Sequence, residues 1–143
     1  MMTDIIDVKE KVRSVLLNDP EVSSLVGSRV YVGWFERSFR LPCVTIYDVS
    51  ENGEPASLGG EVDEYAGTVQ VDVWSSKGPL ERDQLAKAVK TALGKKVNFQ
   101  NMQASGFILG SPVIRALDEL DVKPPIYRKS LQFTVLYWTD KYA

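Results

Sequence analysis

The chain contains no histidine among its 143 residues. Histidine is the commonest general base, and it completes the Ser-His and Cys-His nucleophile pairs. It is also a frequent zinc ligand. Its absence excludes those catalytic arrangements and every histidine metal site. We therefore expect a protein that is not an enzyme and that uses no metal or other cofactor.

Cysteine is almost absent as well, because Cys43 is the only one. A single cysteine excludes an intrachain disulfide and a cluster of thiolate metal ligands. Cys43 lies in the apolar, strand-like segment "LPCVTIY". A reactive thiolate needs a positive and accessible setting. We therefore expect Cys43 to be a small buried hydrophobe and not a nucleophile.

Long apolar runs are also missing, and no segment approaches the roughly 20 residues of a membrane span. The first residues, "MMTDIIDVKEKV", carry acids where a signal peptide has a basic region. We expect synthesis in a cytoplasm and no contact with a membrane. Apolar residues make up 44% and charged residues 25% of the chain, as in ordinary globular proteins. The length predicts a single domain over residues 1–143.

Bases are missing from one long part of the chain. Residues 41–76 hold seven acids and no Lys or Arg, whereas residues 77–96 hold six bases and two acids. The net charge of −2 therefore conceals two regions of opposite sign. Such segregation favours assembly of identical copies, or contact between one surface and an acidic partner.

The hydrophobic periodicity predicts an α+β fold. A helix begins the chain, with Ile5, Val8, Val12, Val15 and Leu16 on its apolar face, and a further turn ends at Gly27. Strands are predicted over 29–34, 41–49 and 66–75, a second main helix over 79–94, a strand interrupted near Pro112, and a final strand over 128–138. This order predicts an antiparallel or mixed sheet of four to five strands, with two main helices packed on one face.

The segment "DVSENGEPASLGGEVDEYA", residues 48–66, joins two predicted strands. Its carboxylates are Asp48, Glu51, Glu54, Glu61, Asp63 and Glu64. Because Gly, Pro and acidic residues are depleted from strands, we predict a long, solvated acidic loop.

Catalytic and metal-binding interpretations of this acidic segment are weaker. The carboxylate spacing does not match that of a calcium loop. A glycosidase pair needs one carboxyl in an apolar pocket, and the composition here does not favour burial. A D-x-K nuclease pattern occurs at 121–123, but also at 7–9, so it specifies little. Neither common glycine-rich phosphate-binding motif occurs in the sequence.

Exposed bases are predicted in two places. Arg37 and Arg40 lie in the connection "FERSFR", and Lys87, Lys90, Lys95 and Lys96 lie on the second main helix. On helical spacing alone, a solvated lysine face is the simpler interpretation. These bases could still contact phosphate or an acidic protein, although the acidic net charge does not favour general nucleic-acid binding.

Several segments together resemble the tail-completion proteins (tail terminators, or tail-to-head joining proteins) of long-tailed double-stranded DNA phages. The likeness is carried by "NDPEVSSLVGSRVYVG", "LPCVTIY", "TVQVDVWSSKGPLERDQLAKAVKTALG" and "YRKSLQFTVLYW". It spans most of the chain. These segments are structural, and none of them is a catalytic motif.

The resemblance implies a structural virion protein at the head-proximal end of the tail. Members of this family form a ring, usually hexameric, that caps the tail tube and ends its polymerisation. The implied partners are further copies of the chain, the tail tube protein and a neck or head-completion protein. DNA passes through the ring without sequence-specific binding.

The acidic segment carries more acid than the family pattern requires. Our hypothesis is that it meets basic groups of an adjacent subunit, or lines the channel and keeps DNA from adhering. Whether it faces the lumen, a neighbour or the exterior stays open from the sequence. The alternative functions are a head-completion or neck component and, from another class, a cytoplasmic α+β binding module or a carboxylate-based hydrolase.

Overall fold

A computed structural model of the chain describes residues 3–56, 60–98, 101 and 105–140. In chain order, the elements within those residues are α1 (Ile5–Leu17), α2 (Pro20–Val26), β1 (Val30–Val32), β2 (Cys43–Pro55), β3 (Val62–Ser75), α3 (Pro79–Lys96), β4 (Phe107–Leu109), β5 (Val113–Ala116) and β6 (Tyr127–Asp140).

The strands form one mixed sheet in the order β1-β2-β3-β6, and β4 and β5 share the outer edge of β6. Among the strand pairs of the described residues, only β1–β2 is parallel. The predicted α+β architecture is confirmed. The predicted interruption near Pro112 is also confirmed, because β4 ends at Leu109 and β5 begins at Val113. That break produces a sixth strand within the described residues, one more than the predicted range.

The helices cover one face of the sheet, and we call this the helix face. The apolar spacing of α1 buries Val8, Val12 and Leu16, while α3 buries Leu85, Val89 and Leu93. These side chains pack against the alternate valines Val69, Val71 and Val73 of β3 and against Leu131, Phe133 and Val135 of β6. Full burial of each large aliphatic side chain stabilises the fold by about 1.5–3 kcal/mol. This layer is the main core.

A smaller apolar cluster lies on the opposite face of the sheet. It contains Cys43, Trp74 and Ile126, and residues 33–42 fold over it. Phe35 of that connection stacks on Trp74 with ring centroids 4.0 Å apart. Cys43 is fully buried, as predicted, and burial raises the pKa of its thiol to about 12. It therefore stays protonated and unreactive at neutral pH.

The prediction of a loop over residues 48–66 is wrong for most of those residues. Residues 48–55 continue β2, and residues 62–66 begin β3. The two segments pair in antiparallel register from Ser50 opposite Thr68 to Pro55 opposite Asp63. Residues 57–59, in the middle of the predicted loop, lie outside the described residues. We refer to residues 48–55 and 61–66 together as the acidic arm.

Candidate assembly surface

The acidic arm is built as a continuation of the sheet. Its second strand also pairs with the end of β6, where Glu64 lies opposite Trp138 and Asp63 opposite Thr139. The ring of Tyr65 covers Gly53, leaving no room for a larger residue there, since a Cβ at that position would lie 2.5 Å from the ring. Pairing on both sides of β3 thus holds an acidic, glycine-containing sequence in extended form.

Strand alternation sends the arm's carboxylates to both faces. Asp48 and Glu51 lie opposite Val69 and Gly67, on the helix face. Glu54 lies opposite Glu64 on the other face. The arm is therefore acidic on each of its two sides.

The two acids closest to the main core have partners within the chain. Asp48 accepts a hydrogen bond of 2.7 Å from the ammonium group of Lys9 on α1. Glu51 accepts a short hydrogen bond from the hydroxyl of Tyr137. Burial raises the pKa of Tyr137, so this hydroxyl stays protonated and continues to donate. These contacts anchor the base of the arm to α1 and β6.

The Lys9–Asp48 pair makes a pH-dependent contribution that can be measured. The hydrogen bond from Lys9 lowers the pKa of Asp48 below its ordinary value. A carboxyl with a lowered folded-state pKa stabilises the fold above its unfolded pKa of about 4, and this contribution is lost as the pH falls through the folded value. We expect Asp48→Asn to reduce the unfolding free energy by a constant amount above about pH 5 and by less below about pH 4. Urea unfolding across this pH range measures the difference, and Glu10→Gln, at an exposed position on α1, is the matched control.

The remaining acids of this region differ from Asp48 and Glu51 in their contacts. No hydrogen bond or ion pair joins the side chains of Glu54, Glu61, Asp63 or Glu64 to the described part of the chain. Glu54 and Glu64 face each other directly across the β2–β3 pair. Like charges in that relation destabilise a sheet, and a nearby base would relieve the repulsion. This part of the arm is suited to receive a basic surface.

The structure does not gather the predicted bases beside these acids. The four lysines of α3 line three different hollows. Lys95 and Lys96 share one with Lys11 of α1, Lys87 lies beside α2, and Lys90 lies beside the segment between β4 and β5. Arg37 and Arg40 are exposed in the connection that covers the opposite face. The predicted lysine face is exposed, but it is not one patch.

Metal ligands do not cluster in the described ranges, where no three His, Cys, Asp or Glu side chains are placed to hold an ion. None of the helices in that part of the chain is both long enough and apolar enough for a membrane span.

Comparison with known proteins decides the family. The family model described as "Tail completion protein gp17" matches residues 10–137. The chain belongs to this family. It is therefore a structural protein of a phage tail, and its place is in the virion. No curated protein matches the chain.

The fold of this tail completion family member also occurs in a solved particle. A chain of the structure titled "Virion of native gene transfer agent (GTA) particle" is similar to it with a TM-score of 0.59 and 22% sequence identity. The match covers 87% of this chain and 90% of that chain. At this identity the likeness shows a shared fold.

Sequence reasoning missed a further feature of this tail protein, namely the apolar side chains at its sheet edges. Val113, Ile114, Leu117 and Leu120 are exposed on or just after β5. Val32, Trp34 and Val49 are exposed at the edge formed by β1 and β2. Pro112 beside Val113 was the available signal, because proline in a strand marks an edge position.

Proposed function

We propose that this protein forms a ring, hexameric as is usual in the family, that caps the tail tube and ends tube polymerisation. The same ring provides the joint to the neck or head-completion protein of the filled head. DNA passes through its centre without sequence-specific contacts. The ring contacts the tail tube protein on one side and the neck on the other.

The observation that supports this proposal best is the separation of unpaired acids from exposed bases. A ring is built from heterologous contacts, in which one patch of a subunit meets a different patch of the next subunit. The arm offers acids without partners among the described residues, while Lys90 and Arg115 are exposed at another edge. A single copy cannot bring these groups together, but neighbouring copies can.

Charge reversal in the arm tests the proposal. In the variant Glu61→Lys with Glu64→Lys, we expect tails without a terminal ring and a fall in phage titre of about tenfold or more, since like-charge contacts at an interface cost several kcal/mol. Electron microscopy of purified tails and plaque counts measure the two effects. The chain itself should still fold, because the lysine introduced by Glu64→Lys would face Glu54 as an opposite-charge pair.

The matched control is Glu10→Lys with Glu21→Lys, which makes the same change in net charge on exposed positions of α1 and α2. We expect this control to assemble like the unaltered chain. Normal rings and normal titre in the arm variant would contradict a role of the arm in the ring. An equal loss in both variants would show that net charge alone is responsible.

A further inference from the structure

Within the described residues, four stretches of strand pair on one side only, namely β1, β4, β5 and residues 48–55 of β2. At β1 the Val30 carbonyl already accepts a hydrogen bond from the Arg13 side chain. β5 pairs with β6, and all four of its residues are exposed. Residues 48–55 of β2 pair with β3 but not with β1, whose register ends at Ile46. The neighbouring edge at β4 is partly occupied, because the Leu109 amide donates to the Val97 carbonyl at 3.1 Å. An unpaired strand edge is a ready template for another strand.

The strand directions make the edges at β5 and at residues 48–55 compatible in neighbouring copies of the chain. β2 is antiparallel to β3, β3 is antiparallel to β6, and β5 is antiparallel to β6. β5 therefore runs opposite to β2. A second copy placed alongside in the same orientation brings its β5 antiparallel to the first copy's β2. The two sheets then join through an antiparallel strand pair, without inversion of any subunit.

The two edges carry charges of opposite sign. Residues 113–116 hold Arg115 and no acid, whereas residues 48–55 hold Asp48, Glu51 and Glu54 and no base. On the helix face, Lys90 lies beside Pro112 at the start of β5, and Glu51, which also accepts from Tyr137, lies on the same face of the arm. Opposite charges on adjacent strands stabilise the pair. Two acidic arms would repel each other, so arm-to-arm dimers are disfavoured.

Pairing of β5 with residues 48–55 requires the second copy to be displaced along the direction of the strands. Val113 and Ala116 of β5 are level with Tyr47 and Val44 of β2, where β1 already occupies the edge. Because of the bulge between Asp48 and Ser50, a slide of four residues, or roughly 13 Å, toward the end of the arm brings Val113 opposite Asn52 and Ala116 opposite Asp48. A constant stagger of this kind is what allows a sheet to close on itself.

We propose that β5 of one copy pairs with residues 48–55 of β2 in the next copy. This inference rests on the proposed ring and specifies its subunit interface. The occupant of the acidic arm's free edge is then a second copy of the chain. Backbone hydrogen bonds supply the association, and the acids of the arm favour pairing with β5, which carries Arg115 and no acid, over pairing between two arms.

Cysteine cross-linking on assembled tails tests this interface. Asn52 and Val113 are exposed and lie on the face opposite the helices, across from Ala66 and Gln132. We expect Asn52→Cys with Val113→Cys, or Ser50→Cys with Val113→Cys for the register two residues away, to form a ladder of multimers with a short bismaleimide. Directly opposed side chains lie about 5 Å apart, within reach of such a reagent. Cys43 is fully buried and adds no background.

The control variant Asn52→Cys with Lys87→Cys places the second thiol on α3, beside α2 and away from both edges. It should give no ladder. Rings visible by electron microscopy without a ladder from either test pair would overturn the edge pairing and leave the ring proposal standing. Tails that carry no ring of this protein would overturn both. A ladder equal to that of the control would also count against the interface.

Discussion

Replacement of Arg128 by methionine is expected to destabilise the protein by about 3–5 kcal/mol, because it leaves the buried carboxylate of Asp72 without its charged partner. The carboxylate of Asp72 is 1% exposed and accepts hydrogen bonds of 2.7 and 3.2 Å from the Arg128 guanidinium. Gln70 donates to its other oxygen at 2.9 Å. The guanidinium carbon also lies 4.7 Å from the Trp74 ring centroid. Methionine retains some of the packing on Trp74 and removes the charge.

A double-mutant cycle separates the cost of leaving the Asp72 carboxylate unpaired from the cost of losing the packing of Arg128 on Trp74. Asp72→Asn with Arg128→Met leaves no carboxylate at this site, so we expect it to be more stable than Arg128→Met alone. Urea unfolding followed by tryptophan fluorescence gives the four free energies. Equal stabilities of the single Arg128 variant and the unaltered chain would show that the ion pair contributes nothing. Additive losses would show that the two side chains act independently.

Gly67→Ala is expected to cost about 2–3 kcal/mol and to lower the melting temperature by roughly 6–10 °C. The register of β2 and β3 shifts between Asp48 and Ser50. This bulge brings the Ser50 carbonyl so close to Gly67 that an added Cβ would overlap with its oxygen. Because the obstacle is backbone, relief requires the strands to separate at the base of the arm. Differential scanning calorimetry measures the effect.

Gly94→Ala is the matched control, because nothing lies within 4 Å of a Cβ added there. Gly94 lies within α3, where alanine is preferred to glycine by about 1 kcal/mol. The same substitution should therefore destabilise at one glycine and stabilise at the other. A neutral result at Gly67 would mean that the arm's strands separate without cost.

The main core could be predicted from the sequence because it obeys simple periodicity. Val69, Val71 and Val73 alternate, and all three are buried under the helices. The two main helices and the break near Pro112 followed from spacing and from the chemistry of glycine and proline. Each of these features depends on residues close in sequence, which is the information that a pattern contains.

The acidic arm could not be predicted in the same way. Its strands expose acidic side chains on both faces, so no apolar alternation marks residues 48–55. Their extended form depends on distant groups, since Tyr137 donates to Glu51 and β6 pairs alongside β3. Local preference against strand was overridden by pairing with β3, whose arm residues pair in turn with a strand more than 60 residues further along the sequence.

The charged residues of the candidate assembly surface could be predicted from the sequence, but their arrangement in space could not. The six acids were recognised as a group, but not their division between two faces. The lysines of α3 were predicted to be exposed, and they are. The unpaired edges depend on which strands become neighbours in the sheet, and periodicity carries no information about that order.

The length of the β3–β6 pair has a mechanical consequence. All fourteen residues of β3 pair with β6, from the arm through the main core. A pull along the arm would load this whole ladder in shear, with every pair sharing the force at once. A sideways pull would instead open the pairs one after another from the end. The arm is therefore stiff along its axis and compliant across it, so in the proposed ring it would transmit a load to the next subunit while bending to follow that subunit's surface.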